Sequence, residues 1–192
     1  MTQTAEGAVT AERFASGLTY QQYLDQIKVN QDQFKANYDG TTVSEEDATA
    51  LRALVAKPNG PAKMLVLGED WCPDVFRGMP VLARIAEASG MEMRVFPRDE
   101  HLDLIDQYLK DGQFRSIPVA VFFTSDMKYI LHWIERPQQA EDEMPQMRKL
   151  FEGRTREEAA PDVATFREGP VWAGWRDATV KELRKKLEEK VQ

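Results

Sequence analysis

The only cysteine of this 192-residue chain lies in the stretch Glu-Asp-Trp-Cys-Pro-Asp-Val-Phe-Arg-Gly-Met-Pro, residues 69–80. A Trp71-Cys72-Pro73 run leading into a helix places a sulfur where free backbone N–H groups and the positive end of the helix dipole favour thiolate. A thiolate so placed can attack a disulfide or a sulfenic acid and form a mixed disulfide. Redox pairs usually need two thiols, however, and Val75 stands where a Cys-x-x-Cys motif would put the second. Pro73 and Asp74 fill the two positions between. Release of a mixed disulfide therefore has to come from outside, from a low-molecular-weight thiol or a partner's cysteine. Arg77 and Arg115 are candidate positive neighbours of the sulfur, whereas Glu69, Asp70 and Asp74 push the other way. Exposed carboxylates are screened while the helix end is aimed at the sulfur, so a modest net depression of the Cys72 pKa is expected.

The elements that must position this stretch can be read on either side of it. Met64-Leu-Val-Leu is a short continuous apolar run, as expected of a strand buried on both faces. The motif follows it, then a helix from about Pro73 to Ala88, with Pro73 suited to the first helical turn and Pro80 inside it. Glu92-Met-Arg-Val-Phe reads as a second strand, Leu102 to Lys110 as a helix, and Val119-Ala-Val-Phe-Phe as a third strand. Ser125-Asp126-Met127 makes a turn into a fourth, Tyr129-Ile-Leu-His-Trp-Ile, and a helix spans roughly Ala140 to Phe151. The order β-α-β-α-β-β-α implies one parallel pair from the crossover and an antiparallel terminal hairpin. Before the first strand, one helical segment opens at Thr19 and ends at Asp39-Gly40, and a second starts at Ser44. Residues 1–18 are small and polar, and their start is expected to be loose. After the core, Gly169-Pro-Val-Trp-Ala-Gly-Trp reads as an aromatic loop and a last helix begins near Thr179.

Trp71-Cys72, Pro80 at its spacing, and Arg115-Ser116-Ile117-Pro118 just before the third strand together resemble the thioredoxin family. The resemblance covers about residues 62–151. It implies an α/β, thioredoxin-like fold: a central mixed four-stranded sheet flanked by helices, with an N-terminal helical extension (1–61) and a C-terminal aromatic loop and helix (152–192) in one globular unit. It further implies that Cys72 is the catalytic nucleophile and that Pro118 is cis and faces it. Trp71, Pro73, Asp74, Ile117 and Pro118 would form the substrate-binding groove. The departures are Val75 for the resolving cysteine and Val66 where the family carries a buried aspartate. A self-contained dithiol cycle is therefore not implied.

Composition bounds the partners. The net charge is −7, which argues against nucleic acid, whose phosphates need a basic surface. Lys181, Arg184, Lys185, Lys186 and Lys190 are interleaved with Glu182, Glu188 and Glu189 and read as a solvated helix face. His101 and His132 are isolated, so no metal site and no resident cofactor are expected; a small thiol would serve as external reductant. A mean hydropathy of −0.53 and the lack of a long apolar run predict no membrane partner. The start MTQTAEGAVTAERF carries no basic and apolar secretory signal, and a lone cysteine suits a reducing compartment, so a cytoplasmic protein is expected. The leading functional expectation is thus monothiol thiol–disulfide exchange or thiol redox homeostasis, with a protein or small-molecule thiol or disulfide as partner. The alternative is a redox-inactive module that binds a protein through Trp71, Ile117 and Pro118. Outside this context, Cys72 would read as a small core residue and Asp74 as a solvated helix-start carboxylate.

Overall fold

The computed structural model describes residues 9–191. Four strands, β1 (Lys63–Gly68), β2 (Glu92–Pro97), β3 (Val119–Phe123) and β4 (Tyr129–Ile134), form one sheet in the order β2-β1-β3-β4. β1 pairs parallel with β2, from Lys63↔Glu92 to Gly68↔Pro97, and antiparallel with β3. β3 and β4 make the antiparallel hairpin, with a register shift between Phe122 and Phe123. This is the mixed four-stranded sheet of a thioredoxin-like fold, and the strands fall where the apolar runs placed them. Met64, Leu65, Val66 and Leu67 are all buried, because β1 is a central strand with both faces covered. On the edge strand β4, Leu131 and Trp133 turn inward while Tyr129 stays exposed.

Helix α5 (Pro73–Ser89, following α1 to α4 in chain order) crosses over this sheet and carries the sulfur at its N-cap. Pro73 starts it without cost, since the first-turn N–H groups lack partners in any helix. Two glycines permit its close approach. A Cβ on Gly68, at the end of β1, would lie 2.7 Å from Met79 Cε and 2.8 Å from Val75 Cγ1. A Cβ on Gly78 would lie 3.3 Å from the ring of Pro118. The helix therefore sits down onto the strand end and onto the proline that precedes β3.

The flanking helices depart from expectation in instructive ways. The segment from Thr19 to Asp39 is two helices, α2 (Tyr20–Gln26) and α3 (Gln31–Asp39), not one. The break forms because the Asp70 carboxylate accepts from the backbone N–H groups of Lys28 (2.9 Å) and Val29 (3.3 Å), offering a partner that helix continuation would otherwise supply. Asn30 takes a left-handed conformation (φ 60°) and donates through its side chain to the Asp70 carbonyl at 2.8 Å. α1 (Ala11–Ala15) precedes this pair, with Val9 and Phe14 buried, so residues 9–18 are anchored; the expectation of a loose start lies outside the described residues. α4 (Glu45–Val55) begins at its Ser44 cap as read.

The helix expected from Leu102 to Lys110 is a single turn, α6 (Leu102–Ile105), following a 3-10 turn at Arg98–Glu100. Beyond it the chain turns, and Lys110 makes an isolated antiparallel bridge with Phe114. α7 (Gln138–Lys149) follows β4, with Pro145 inside it.

The largest correction is C-terminal. A helix absent from the sequence reading, α8 (Arg156–Glu168), is capped by a reciprocal Thr155–Glu158 box. The supposed aromatic loop is the first part of a long α9 (Pro170–Lys190). Pro170 at its first position and Gly169 at the cap are start signals, and Trp172 and Trp175 are core residues of that helix.

Candidate functional site

Cys72 is half-buried, and its Sγ lies 3.8 Å from the carbonyl oxygen of Ile117, to which the S–H donates. The Ile117–Pro118 peptide bond is cis. Strand β1 delivers Cys72 from below, α5 starts from it, and the loop before β3 brings Ile117 and Pro118 across 45 residues of sequence. The turn is closed by Cys72 N–H to Glu69 O at 3.2 Å, and the Cys72 carbonyl accepts from the N–H groups of Val75 and Phe76, both at 3.0 Å.

The residues expected around the sulfur fall into two groups. Ile117 and Pro118 are buried beside it, Ile117 only 4% exposed. Trp71 is 51% exposed, its ring covered on one face by the Arg98 guanidinium at 5.2 Å. Trp71, Pro73 and Asp74 line a cavity of about 620 Å³ next to the first turn of α5. They share it with Met144, Met147 and Phe151 from α7 and the segment after it, Val163 and Arg167 from α8, and Trp172 and Trp175 from α9.

Asp74 is not a solvated carboxylate. Its side chain is 17% exposed and is held by Arg77 Nη2 at 3.2 Å and Arg136 Nη2 at 2.7 Å. Arg77 is wholly buried, with Nη2 also donating to the Glu135 carbonyl at 3.3 Å. Its guanidinium carbon lies 5.8 Å from the ring centre of Trp172 and 5.9 Å from that of Trp175. Glu135, just after β4, has φ 67°, a left-handed conformation disfavoured for a side chain of this kind. Its N–H bonds to Pro118 O at 2.7 Å, which ties the proline loop to the same network. Arg136 continues the network to Glu135 and Glu141, and Lys110 pairs with both of those carboxylates.

These surroundings reverse the expected pKa shift. Burial pushes the Cys72 thiol up from its ordinary value, and the carboxylates of Asp74 and Glu135 add to the rise; the N–H groups of Val75 and Asp74 offset only part of it. The two arginines proposed as positive neighbours are committed elsewhere. Arg77 is spent on Asp74, and Arg115 faces outward in a two-pronged pair with Asp106 at 2.6 and 2.8 Å. The expected depression reverses because the sulfur itself is desolvated and the nearby Asp74 carboxylate is largely enclosed rather than screened by solvent.

Sequence reasoning missed Glu135, Arg136 and Arg167, and it missed Asp70 as the residue that fixes the turn to the N-terminal helices. The one usable signal was the run Glu135-Arg136-Pro137 directly after a predicted edge strand. His132, given no role, contacts Tyr129 Oη through Nδ1 at 2.7 Å, and the other tryptophans are core residues. Among the described residues no group of three or more His, Cys, Asp or Glu side chains is placed to hold a metal ion. Among the same residues no helix is long and apolar enough to cross a membrane.

No curated protein sequence matches the chain. Among solved structures it is similar to a protein of unknown function from Pseudomonas aeruginosa, with a TM-score of 0.69 and 15% identity over 94% of this chain and 98% of that one. It is also similar to an HIV epitope scaffold, with a TM-score of 0.66 and 16% identity over 93% of this chain and 97% of that one. At such identities the likeness is one of fold, and it extends well beyond the sheet. The family model described as thioredoxin matches residues 17–148, more than half of the chain, and with the sheet order and the Trp71-Cys72 turn already described, the chain belongs to the thioredoxin family.

Proposed function

We propose that the protein acts in monothiol thiol–disulfide exchange, with Cys72 as its nucleophile. The observation that carries this reading is the partly buried sulfur at the N-cap of α5, 3.8 Å from the Ile117 carbonyl, with an exposed tryptophan beside it. In the forward step the Cys72 thiol loses its proton to solvent and the thiolate attacks one sulfur of a disulfide. A Cys72–substrate disulfide forms while the second half leaves as thiolate. A thiol from outside, small or carried by a protein, then attacks the substrate sulfur and returns Cys72. The net result is exchange of one thiol for another, and Val75, wholly buried, takes no part. Trp71, Ile117 and Pro118 would flank the substrate sulfur. No resident cofactor is required; the compartment is the cytoplasm, where small thiols are abundant.

The raised pKa has a direct consequence for rate. At neutral pH the sulfur is held mainly as thiol, so attack accelerates as pH rises through and beyond the free-cysteine value of about 8.5. The same fact favours a second reading, a redox-silent module that binds a protein partner at this surface.

The two readings separate in one experiment: reduction of hydroxyethyl disulfide by a small thiol, with and without the protein, followed from pH 6 to pH 10 (~neutral to past the thiol range). Exchange predicts catalysis that climbs with pH and vanishes in Cys72→Ser. No turnover at any pH, with a partner still bound by Cys72→Ser, would establish the binding module instead.

A further inference from the structure

The cavity beside Cys72 has a charge pattern that thiol exchange alone does not account for. Four arginines line it: Arg136, Arg148, Arg156 and Arg167. Asp74 is the one carboxylate among its lining residues, and it is already held by Arg77 and Arg136. Arg136 is likewise matched by Glu135 and Glu141. Arg148, Arg156 and Arg167, by contrast, form no ion pair with any described residue.

Arg167 is the sharpest case. Its guanidinium stacks 4.9 Å from the ring centre of Phe76 and 5.8 Å from that of Trp172, half-buried, and its Nε is buried without a hydrogen-bond partner. A half-buried cation with no carboxylate partner gains from an anion that arrives to meet it. The remaining wall is apolar, made by Met144, Met147, Phe151, Val163 and the two tryptophans, and 620 Å³ is the size of a small-molecule site. Trp71 and Pro73, the two chain neighbours of Cys72, are among its lining residues, which brings the cavity next to the sulfur-bearing turn.

We infer that this cavity binds the carboxylate-bearing half of a low-molecular-weight disulfide whose sulfur is presented to Cys72. The inference rests on the exchange reading and adds the substrate class. Arginine suits the role because its planar fork takes a carboxylate through two parallel N–H donors. In the step, Cys72 Sγ bonds to the sulfur of the half seated in the cavity, the S–S bond breaks, and the other half departs as thiolate with its electron pair. An external thiol then releases the seated half as a new disulfide and leaves Cys72 reduced.

The test uses the intact chain and two anionic probes, glutathione disulfide and 5,5′-dithiobis(2-nitrobenzoate), against two without free carboxylates, the tetraester of glutathione disulfide and hydroxyethyl disulfide. Binding to Cys72→Ser is read by tryptophan fluorescence, since Trp71, Trp172 and Trp175 line the cavity. The expected result is saturable binding of at least one anionic probe, weakened about tenfold or more by esterification, by added salt, or by the exposed pair Arg148→Gln/Arg156→Gln. Arg167→Gln weakens it further; should that variant misfold, the salt, the esters and the exposed pair carry the test unaided.

Equal affinity for probes with and without free carboxylates, absence of saturable binding by both anionic probes, or indifference to the arginine variants overturns the inference. Its failure is distinct from failure of the exchange reading. Turnover of hydroxyethyl disulfide with no preference for anionic disulfides leaves exchange standing without the cavity. Charge-selective binding without turnover leaves the cavity standing without exchange.

Discussion

On one side of the first turn of α5, the Cys72 sulfur rests against the Ile117 carbonyl among buried apolar neighbours. On the other side, Asp74 is clasped between the buried Arg77 and Arg136, with Trp172 and Trp175 behind. The first side is assembled from the sheet and the proline loop. The second is assembled from the segment after β4 and the C-terminal helices. The difference teaches that the sheet side sets the position and most of the protonation of the thiol, while the charged side adds to it. The sheet side puts the sulfur at a helix N-terminus. Burial of that sulfur raises its pKa, and the far side adds a carboxylate that raises it further.

The largest effect that would break this comparison is removal of its buried cation. Arg77→Met removes the buried member of a largely enclosed ion pair but leaves Asp74 paired with Arg136, which costs about 1–3 kcal/mol. Denaturant unfolding would measure it, and a loss below about 1 kcal/mol would mean the pair is solvated in practice. Next is Val75→Cys, on the sulfur side. The variant should form an intramolecular disulfide on mild oxidation, removing both free thiols from titration, at about 1 kcal/mol in the reduced state from lost packing. Two persistently free thiols would show that the turn at residues 72–75 departs from the geometry of a dithiol motif.

A smaller effect tests the raised thiol itself. The native state holds the Cys72 proton more tightly than the unfolded chain does, so above the unfolded pKa of about 8.5 it binds more protons and stability falls with pH. This contribution is fully present below that value and is lost as pH rises through the folded pKa. Wild type should therefore lose stability relative to Cys72→Ser on going from neutral to alkaline buffer. Parallel stability curves for the two would remove the case for a raised thiol. The smallest effect is a control. Arg115→Gln breaks an exposed pair with Asp106 and should alter neither the unfolding midpoint nor the rate of Cys72 alkylation.

What the sequence disclosed follows the same division. The sheet and the sulfur were legible because their signals are local: four apolar runs, a cysteine-proline start, and a second proline before a strand. The charged side was not, because its partners are remote. Arg77 meets Glu135 across 58 residues, and Asp74 meets Arg136 across 62. No spacing rule connects them, and no periodicity shows that Glu135 adopts a left-handed backbone. The segment carrying Trp172 and Trp175 was misread as a loop for a different reason, although both side chains are core aromatics. Gly169-Pro170 is as good a helix start as it is a turn, and only burial of the aromatic face decides between them. The break between α2 and α3 belongs to the first kind, since Asp70 lies some forty residues from the amides it satisfies.

That last contact sets a boundary on the smallest piece of this chain worth expressing. Asp70 adjoins Trp71-Cys72, and its carboxylate and carbonyl together hold Lys28, Val29 and Asn30. A fragment trimmed to begin at β1 would keep every strand yet lose the clasp that fixes the loop carrying the sulfur. Domain dissection of this protein should therefore start upstream of Thr19, where the α2 cap begins, and the reactive turn is the part of the molecule that would report a wrong cut first.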